Sequence, residues 1–333
     1  MGNGDWPGVQ LHVVSGKGGT GKTTVASALA VALASQGRNV LLCEAEGRQG
    51  IARVFDVDPL PYAECEIATG LGGPHGAGGC VFALHIDAES ALLEYLSMYY
   101  RLGRAGRALD RFGVIEFATT IAPGVRDVLL TGKVYEAAKS DRRRGGRRYD
   151  SIVLDAPPTG RIAQFLGVTS ELAGLAKVGP IKHQADTVMT LLRSPRTAVH
   201  LVTVLEEMPV QETIDGVAEL RAARLPVGGV VVNLIRPRSL SPTALATIRA
   251  GQVDRAAVAT DLGRAGLETT DSLIETLLAE GIDHDERREL EDGQRLRVNE
   301  IGLPTYELPR LASGIDLGGL YELAAMLKEQ GMA

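Results

Sequence analysis

At 333 residues and 45% apolar content, the chain has enough material for a large buried core, built as one big α/β domain or two smaller ones. Its 35 basic and 41 acidic residues leave a net charge of −6, from which no broad nucleic-acid footprint follows, and only 4% of residues are aromatic, which weakens any base-stacking platform. No apolar stretch approaches the roughly 18 residues of a membrane span, and residues 1–7 carry no basic or apolar leader pattern, so a soluble cytoplasmic protein is expected.

The first predicted strand covers 10–15 and runs into Ser15-Gly16-Lys17-Gly18-Gly19-Thr20-Gly21-Lys22-Thr23-Thr24. Gly16, Gly21, Lys22 and Thr23 satisfy the phosphate-binding pattern G-x-x-x-x-G-K-[ST]. Gly16, Gly18, Gly19 and Gly21 admit backbone conformations closed to other residues and, with Thr20, turn several N–H groups toward one anion. Val25, Leu29, Ala30 and Leu33 at helical spacing predict a helix over 22–35 closed by Gly37, which sets the phosphates on a helix N-terminus. In that setting Lys22 neutralises β- and γ-phosphate oxygens, Thr23 ligates Mg²⁺ and Thr24 touches the α-phosphate. Lys17 is one lysine more than the loop needs. It lies too far from Lys22 in sequence to repeat its contacts, and its own chain has no evident use for it. Two such loops face to face would bring Lys17 to the partner's phosphates, where it would act as an arginine finger does.

Strand-like runs follow at 40–44, 81–86, 151–154, 198–205, 229–234 and 305–308, alternating with helical patterns, the last over 316–328. Such alternation predicts a mostly parallel sheet with helices on both faces and ligands at the strands' C-terminal ends. Helical stretches too long for simple crossovers divide the chain. Residues 1–87, 150–169, 196–236 and 303–333 read as a nucleotide-binding core, and 88–149, 170–195 and 241–302 as a helical subdomain. Over 88–100, Leu92, Leu93, Tyr95, Leu96 and Tyr99 cover nearly the whole helix circumference, which fits either core packing or a groove for an apolar client. Only Met98 and Met189 fall in these helices, so an adaptable groove for tail-anchored clients is not favoured. The run Arg142 to Arg148 is either a solvated linker or a contact for an anionic partner or lipid surface.

The second chemical motif is the strand over 151–154 that ends in Asp155-Ala156-Pro157-Pro158-Thr159-Gly160-Arg161. At the strand tip Asp155 is placed to hold the Mg²⁺ shell through water, and Gly160 to offer its N–H to the γ-phosphate. Cys43, Cys65 and Cys80 form no C-x-x-C pair, so neither structural zinc nor a disulfide framework is indicated. His12 and His200 sit in apolar runs and read as core residues with satisfied rings. Asn233, ending the run at 229–234, is by default a turn residue, although its amide both donates and accepts.

Together these residues resemble the family of dimeric deviant-P-loop ATPases that includes the arsenical-pump-driving, tail-anchored-protein-targeting and division-site-placing ATPases. There the lysine matching Lys17 is the signature residue. The family's switch II reads Asp-Thr-Ala-Pro-Thr-Gly-His, so Arg161 is a departure. Switch I departs further: Ser-Thr-Asp-Pro is here Glu44-Ala45-Glu46-Gly47, which puts Glu46 at the position of the water-orienting aspartate, one methylene longer. Glu44, Arg48 and Gln49 remain available for rearranged roles, Glu44 as a structural residue. The run Glu46-Gly47-Arg48-Gln49-Gly50 resembles the actinobacterial branch, whose members occur as tandem paralogues. The resemblance also implies that Asn233 reads adenine and that Pro309-Arg310-Leu311 covers the base, favouring ATP over GTP.

What the resemblance implies is a P-loop NTPase fold with an inserted helical subdomain and a Mg²⁺-dependent ATPase whose dimer closes on ATP. The dimer would be a homodimer or a heterodimer with a paralogue, passing closure to a protein client or membrane-associated effector. The alternative is a nucleotide-binding scaffold or carrier subunit that hydrolyses poorly. Driving an arsenite pump lacks support, because clustered cysteine ligands are not recognisable.

Overall fold

Strand β1 (Leu11–Gly16) is buried along its whole length, which is why an almost unbroken apolar run encodes it. The structure, a computed structural model, describes residues 4–45, 48–72, 78–87, 89–91, 93–94, 123–139, 149–166, 180–312 and 314–333. Among the described residues β1 is joined by β2 (Val40–Glu44), β3 (Cys65–Thr69), β4 (Cys80–His85), β5 (Ser151–Asp155), β6 (Thr197–Thr203), β7 (Val227–Ile235) and β8 (Thr305–Pro309). The order across the sheet is β3-β4-β2-β5-β1-β6-β7-β8, and every pair is parallel except β3 with β4. The expected mostly parallel α/β sheet is therefore present. Periodicity missed β3 because it is a partly exposed edge strand with no continuous apolar run.

Two layers of helices cover the sheet: α1 (Lys22–Ala34), α2 (Gly50–Phe55) and α9 (Leu317–Glu329) on one face, α3 (Pro123–Lys139), α4 (Pro180–Leu192) and α5 (Glu207–Ala222) on the other. Side chains along the strands alternate between the layers. Val14, Leu42, Val153, Val202 and Val231 meet α1 and α9, whereas Leu11, Val13, Leu41, Ile152 and Leu201 meet the opposite layer. The Ala-rich α1 is buried nearly all round, from Val25 to Ala34. Its start and end fall within a residue of the predicted helix, whereas the short α2 was not foreseen.

Much of the predicted helical subdomain, including residues 95–122, the Arg142 to Arg148 run and residues 167–179, lies outside the described residues. The parts that are described differ from one another. Leu130 and Val134 of α3, and Val188, Met189 and Leu192 of α4, belong to the core beneath the sheet. By contrast α6 (Pro242–Arg249) and α7 (Arg255–Arg264) bury no residue, and the 30-residue α8 (Asp271–Glu300) buries only Ile274, Gly281, Arg288 and Val298. Among the described residues no helix is long and apolar enough to cross a membrane.

Candidate functional site

Close approach of backbones shapes the loop between β1 and α1. A Cβ on Gly16 would run into the carbonyl of Val202 on β6. Gly21, at the N-terminus of α1, has a left-handed φ of 86°, and a Cβ there would strike Asn233 Nδ2. That same Nδ2 donates to the Thr20 carbonyl at 2.9 Å, so β7 buttresses the loop through a side chain only 4% exposed. The loop closes on itself as well: Thr20 Oγ1 donates to the Lys17 carbonyl at 2.9 Å. Gly18 and Gly19 have open space around their α-carbons, as a ligand approaching backbone N–H groups requires.

Lys22 occupies the first turn of α1 at 9% exposure. Among the described residues no carboxylate or other acceptor is recorded on its ammonium, so a buried charge there calls for an anion from outside the chain. Next to it Thr23 Oγ1 donates to Asp155 Oδ2 at 2.6 Å, which joins the start of α1 to the tip of β5. These oxygens are the hard donors that Mg²⁺ takes and, with the cradle formed at Gly16 and Gly21, they fit a metal–triphosphate. Thr24 follows on the same turn, partly exposed.

Switch II leaves β5 beside β1. Ala156 N–H donates to the Val14 carbonyl at 3.0 Å, and Ser15 Oγ to the Pro157 carbonyl at 2.6 Å. Thr159 is buried at 2% exposure, and its hydroxyl has no partner among the described residues. Gly160 stands in the first turn of the helix that begins at 159, with open space where a side chain would be. Arg161, the departure from the family pattern, lies 3.7 Å from Asp127 on α3.

Switch I is only partly described, and Glu46 lies outside the described residues. Glu44 is at the tip of β2, in register with Asp155, and is 2% exposed. Its carboxylate accepts from the Gly50 N–H at 2.5 Å and pairs with His85 Nδ1 at 3.0 Å. Glu44 is thus tied to Gly50 and His85 within its own chain. Gln49 is not available for a rearranged role: its amide accepts from the Leu60 N–H at 2.8 Å and donates to the Leu60 carbonyl at 3.1 Å.

Between β6, β7 and α8 lies a cavity of about 260 Å³, lined in part by Leu205, Asn233, Ile235, Glu291 and Arg310. Of the residues expected to cover a base, Arg310 lines this cavity, Pro309 ends β8 and Leu311 packs against the core near Gly319. Sequence reasoning missed Glu291, which α8 delivers; a carboxylate on a surface helix carries no local mark of a pocket. It also missed Glu212, whose Oε1 lies 2.7 Å from Lys17 Nζ. The expectation that the chain itself has no evident use for Lys17 is corrected: α5 supplies a carboxylate within reach.

His12 and His200 are buried, stacked at 5.4 Å between centroids, and linked by a 3.1 Å hydrogen bond. They sit away from the loop, at the level of Trp6 and Gly229, and are core residues as read, but the expected satisfied ring fails at His12, whose buried Nε2 has no hydrogen-bond partner among the described residues. Among the described residues no group of three or more His, Cys, Asp or Glu side chains is arranged to hold a metal ion.

A parallel sheet with a glycine loop after its inner strand, and a carboxylate at the tip of the neighbouring strand, defines a P-loop NTPase. The chain belongs to the anion-transporting ATPase family, whose sequence profile matches residues 9–195. It is 51% identical over 331 residues to the ATPase BagA of Mycobacterium tuberculosis, covering 98% of this chain and 96% of that protein. It is 29% identical over 225 residues to an arsenical pump-driving ATPase of Escherichia coli, covering 67% of this chain and 34% of that protein. It is also 24% identical over 254 residues to the ATPase GET3 of Kluyveromyces lactis.

Proposed function

We propose that this chain is a Mg²⁺-dependent ATPase that works as a dimer and passes ATP-driven closure to a helical effector or client surface. One observation carries the reading: Lys22, in the first turn of a helix that follows an open glycine loop, is only 9% exposed and has no acidic partner among the described residues. The anion that completes such a site is a phosphate chain. Lys22 and the N–H groups of Gly18, Gly19, Thr20 and Gly21 hold its β and γ parts, and Thr24 its α part. Thr23 and, through water, Asp155 hold Mg²⁺, which when bound offsets the charge of the phosphates. Gly160 and the unpartnered Thr159 hydroxyl face the γ end, Glu46 orients water, and the partner's Lys17 stabilises developing charge. Asn233, Pro309 and Leu311 frame the adenine.

The partner is a second copy or a paralogue, the setting is cytoplasmic, and the effector is a protein client or membrane-associated protein. A second reading, a scaffold subunit that binds ATP and hydrolyses it poorly, draws on switch I, where Glu44 and Gln49 are already engaged and the water is left to Glu46. Replacing Glu46 separates the two. In the enzyme reading Glu46→Gln abolishes turnover while ATP binding survives; an unchanged rate removes Glu46 from its role. Turnover absent from the unaltered chain, both alone and with its paralogue, favours the scaffold.

A further inference from the structure

We infer that Glu212 is an internal latch on Lys17: it holds the amine within its own chain and competes with the partner's phosphates for it. The inference rests on the dimeric reading above. Lys17 Nζ lies 2.7 Å from Glu212 Oε1, and the two side chains are 30% and 37% exposed. The backbone at position 17 is pinned, because Thr20 donates to the Lys17 carbonyl through both its N–H (3.3 Å) and its hydroxyl (2.9 Å). The four-carbon stem is then the part left to swing. Glu212 stands on α5, a helix whose adjoining Gln211 is bonded to Arg297 of α8 at 2.5 Å and to Asp215 at 2.9 Å.

The strength of the pair suits a latch. An ion pair this exposed shifts an equilibrium by about fivefold at most, so it delays assembly without forbidding it. A triphosphate with its fixed, partly desolvated charge outcompetes one screened carboxylate. Phosphates delivered by a second subunit would therefore draw Lys17 off Glu212. An empty partner leaves the amine parked, which biases assembly toward subunits that both carry nucleotide.

Sedimentation velocity in Mg²⁺ and ATP, over a range of protein concentrations, tests the latch on the full chain. Glu212→Gln keeps the size and removes the charge; because a homodimer opens two such pairs, it should lower the concentration for half-assembly by up to about 25-fold, or up to about fivefold where only one subunit carries the latch, with the gain shrinking at high salt. An unchanged or raised concentration overturns the latch. Lys17→Ala separates this failure from that of the dimeric reading. Assembly weakened by Lys17→Ala but indifferent to Glu212→Gln removes the latch alone, whereas assembly indifferent to both removes the latch and the trans role of Lys17. Thermal melting of Glu212→Gln should match the parent, because the pair is on the surface.

Discussion

Asn233→Ala separates two roles that one side chain is assigned, base reader and loop buttress. The substitution deletes the 2.9 Å bond from Nδ2 to the Thr20 carbonyl at a position 4% exposed. Losing such a bond and leaving its acceptor unpaired costs about 1–3 kcal/mol, and water entering from the adjoining 260 Å³ cavity keeps the cost toward the lower half, about 1–2 kcal/mol. Because the loop holds phosphates whatever the base, that cost should weaken ATP, ADP and GTP alike, by about 5- to 30-fold. Titration calorimetry with the three nucleotides reads it directly. A loss confined to the adenine nucleotides would sink the buttress and leave the base reader. Gly21 gives an internal check, since a Cβ there strikes the same Nδ2 at a φ of 86°. In the Asn233→Ala background the added cost of Gly21→Ala should shrink to the left-handed strain, about 1–2 kcal/mol, so the two substitutions should be less than additive.

Thr23→Val keeps the shape of α1's first turn and removes the hydroxyl that donates to Asp155 at 2.6 Å. Hydrogen bonds to charged groups are worth about 1.5–3 kcal/mol, so the Mg²⁺ concentration for half-maximal turnover should rise by roughly 10- to 100-fold; an unmoved midpoint removes Thr23 from the metal shell. The buried histidine pair predicts acid sensitivity away from the site. Burial lowers His12 well below its ordinary value and His200 from 6.5 to about 3, so both are neutral in the folded chain. Below pH 6.5 the unfolded chain binds protons that the folded chain does not, and stability falls as pH drops toward 3. From His200 alone the loss is about 1.4 kcal/mol per pH unit, or about 2 kcal/mol at pH 5. Urea melts between pH 7 and 5 should show this slope, and His200→Asn should flatten it; equal slopes in both proteins would count against a neutral pair.

The glycine loop could be read from sequence because its pattern lies in consecutive residues of one short window. The inner strands were legible for a related reason: covered on both faces, they are nearly continuous apolar runs, and only half-exposed β3 escaped. Asp155 was placed correctly at a strand tip, and Thr23 meets it there. Gln49 shows where that kind of reading stops. Its amide looked free for chemistry, yet both of its groups are engaged by the backbone of Leu60, eleven residues on.

By itself, then, the sequence determined the fold class, the family and the phosphate loop, all carried by local pattern and backbone chemistry. That Asn233 braces Thr20, that Glu44 contacts Gly50 and His85, and that Glu212 reaches Lys17 became visible once strands and helices were packed together. Each of those contacts depends on a side chain's direction and on which strand or helix lies beside it. A carboxylate on a helix surface looks the same in sequence whether it faces water or a lysine brought near by the sheet.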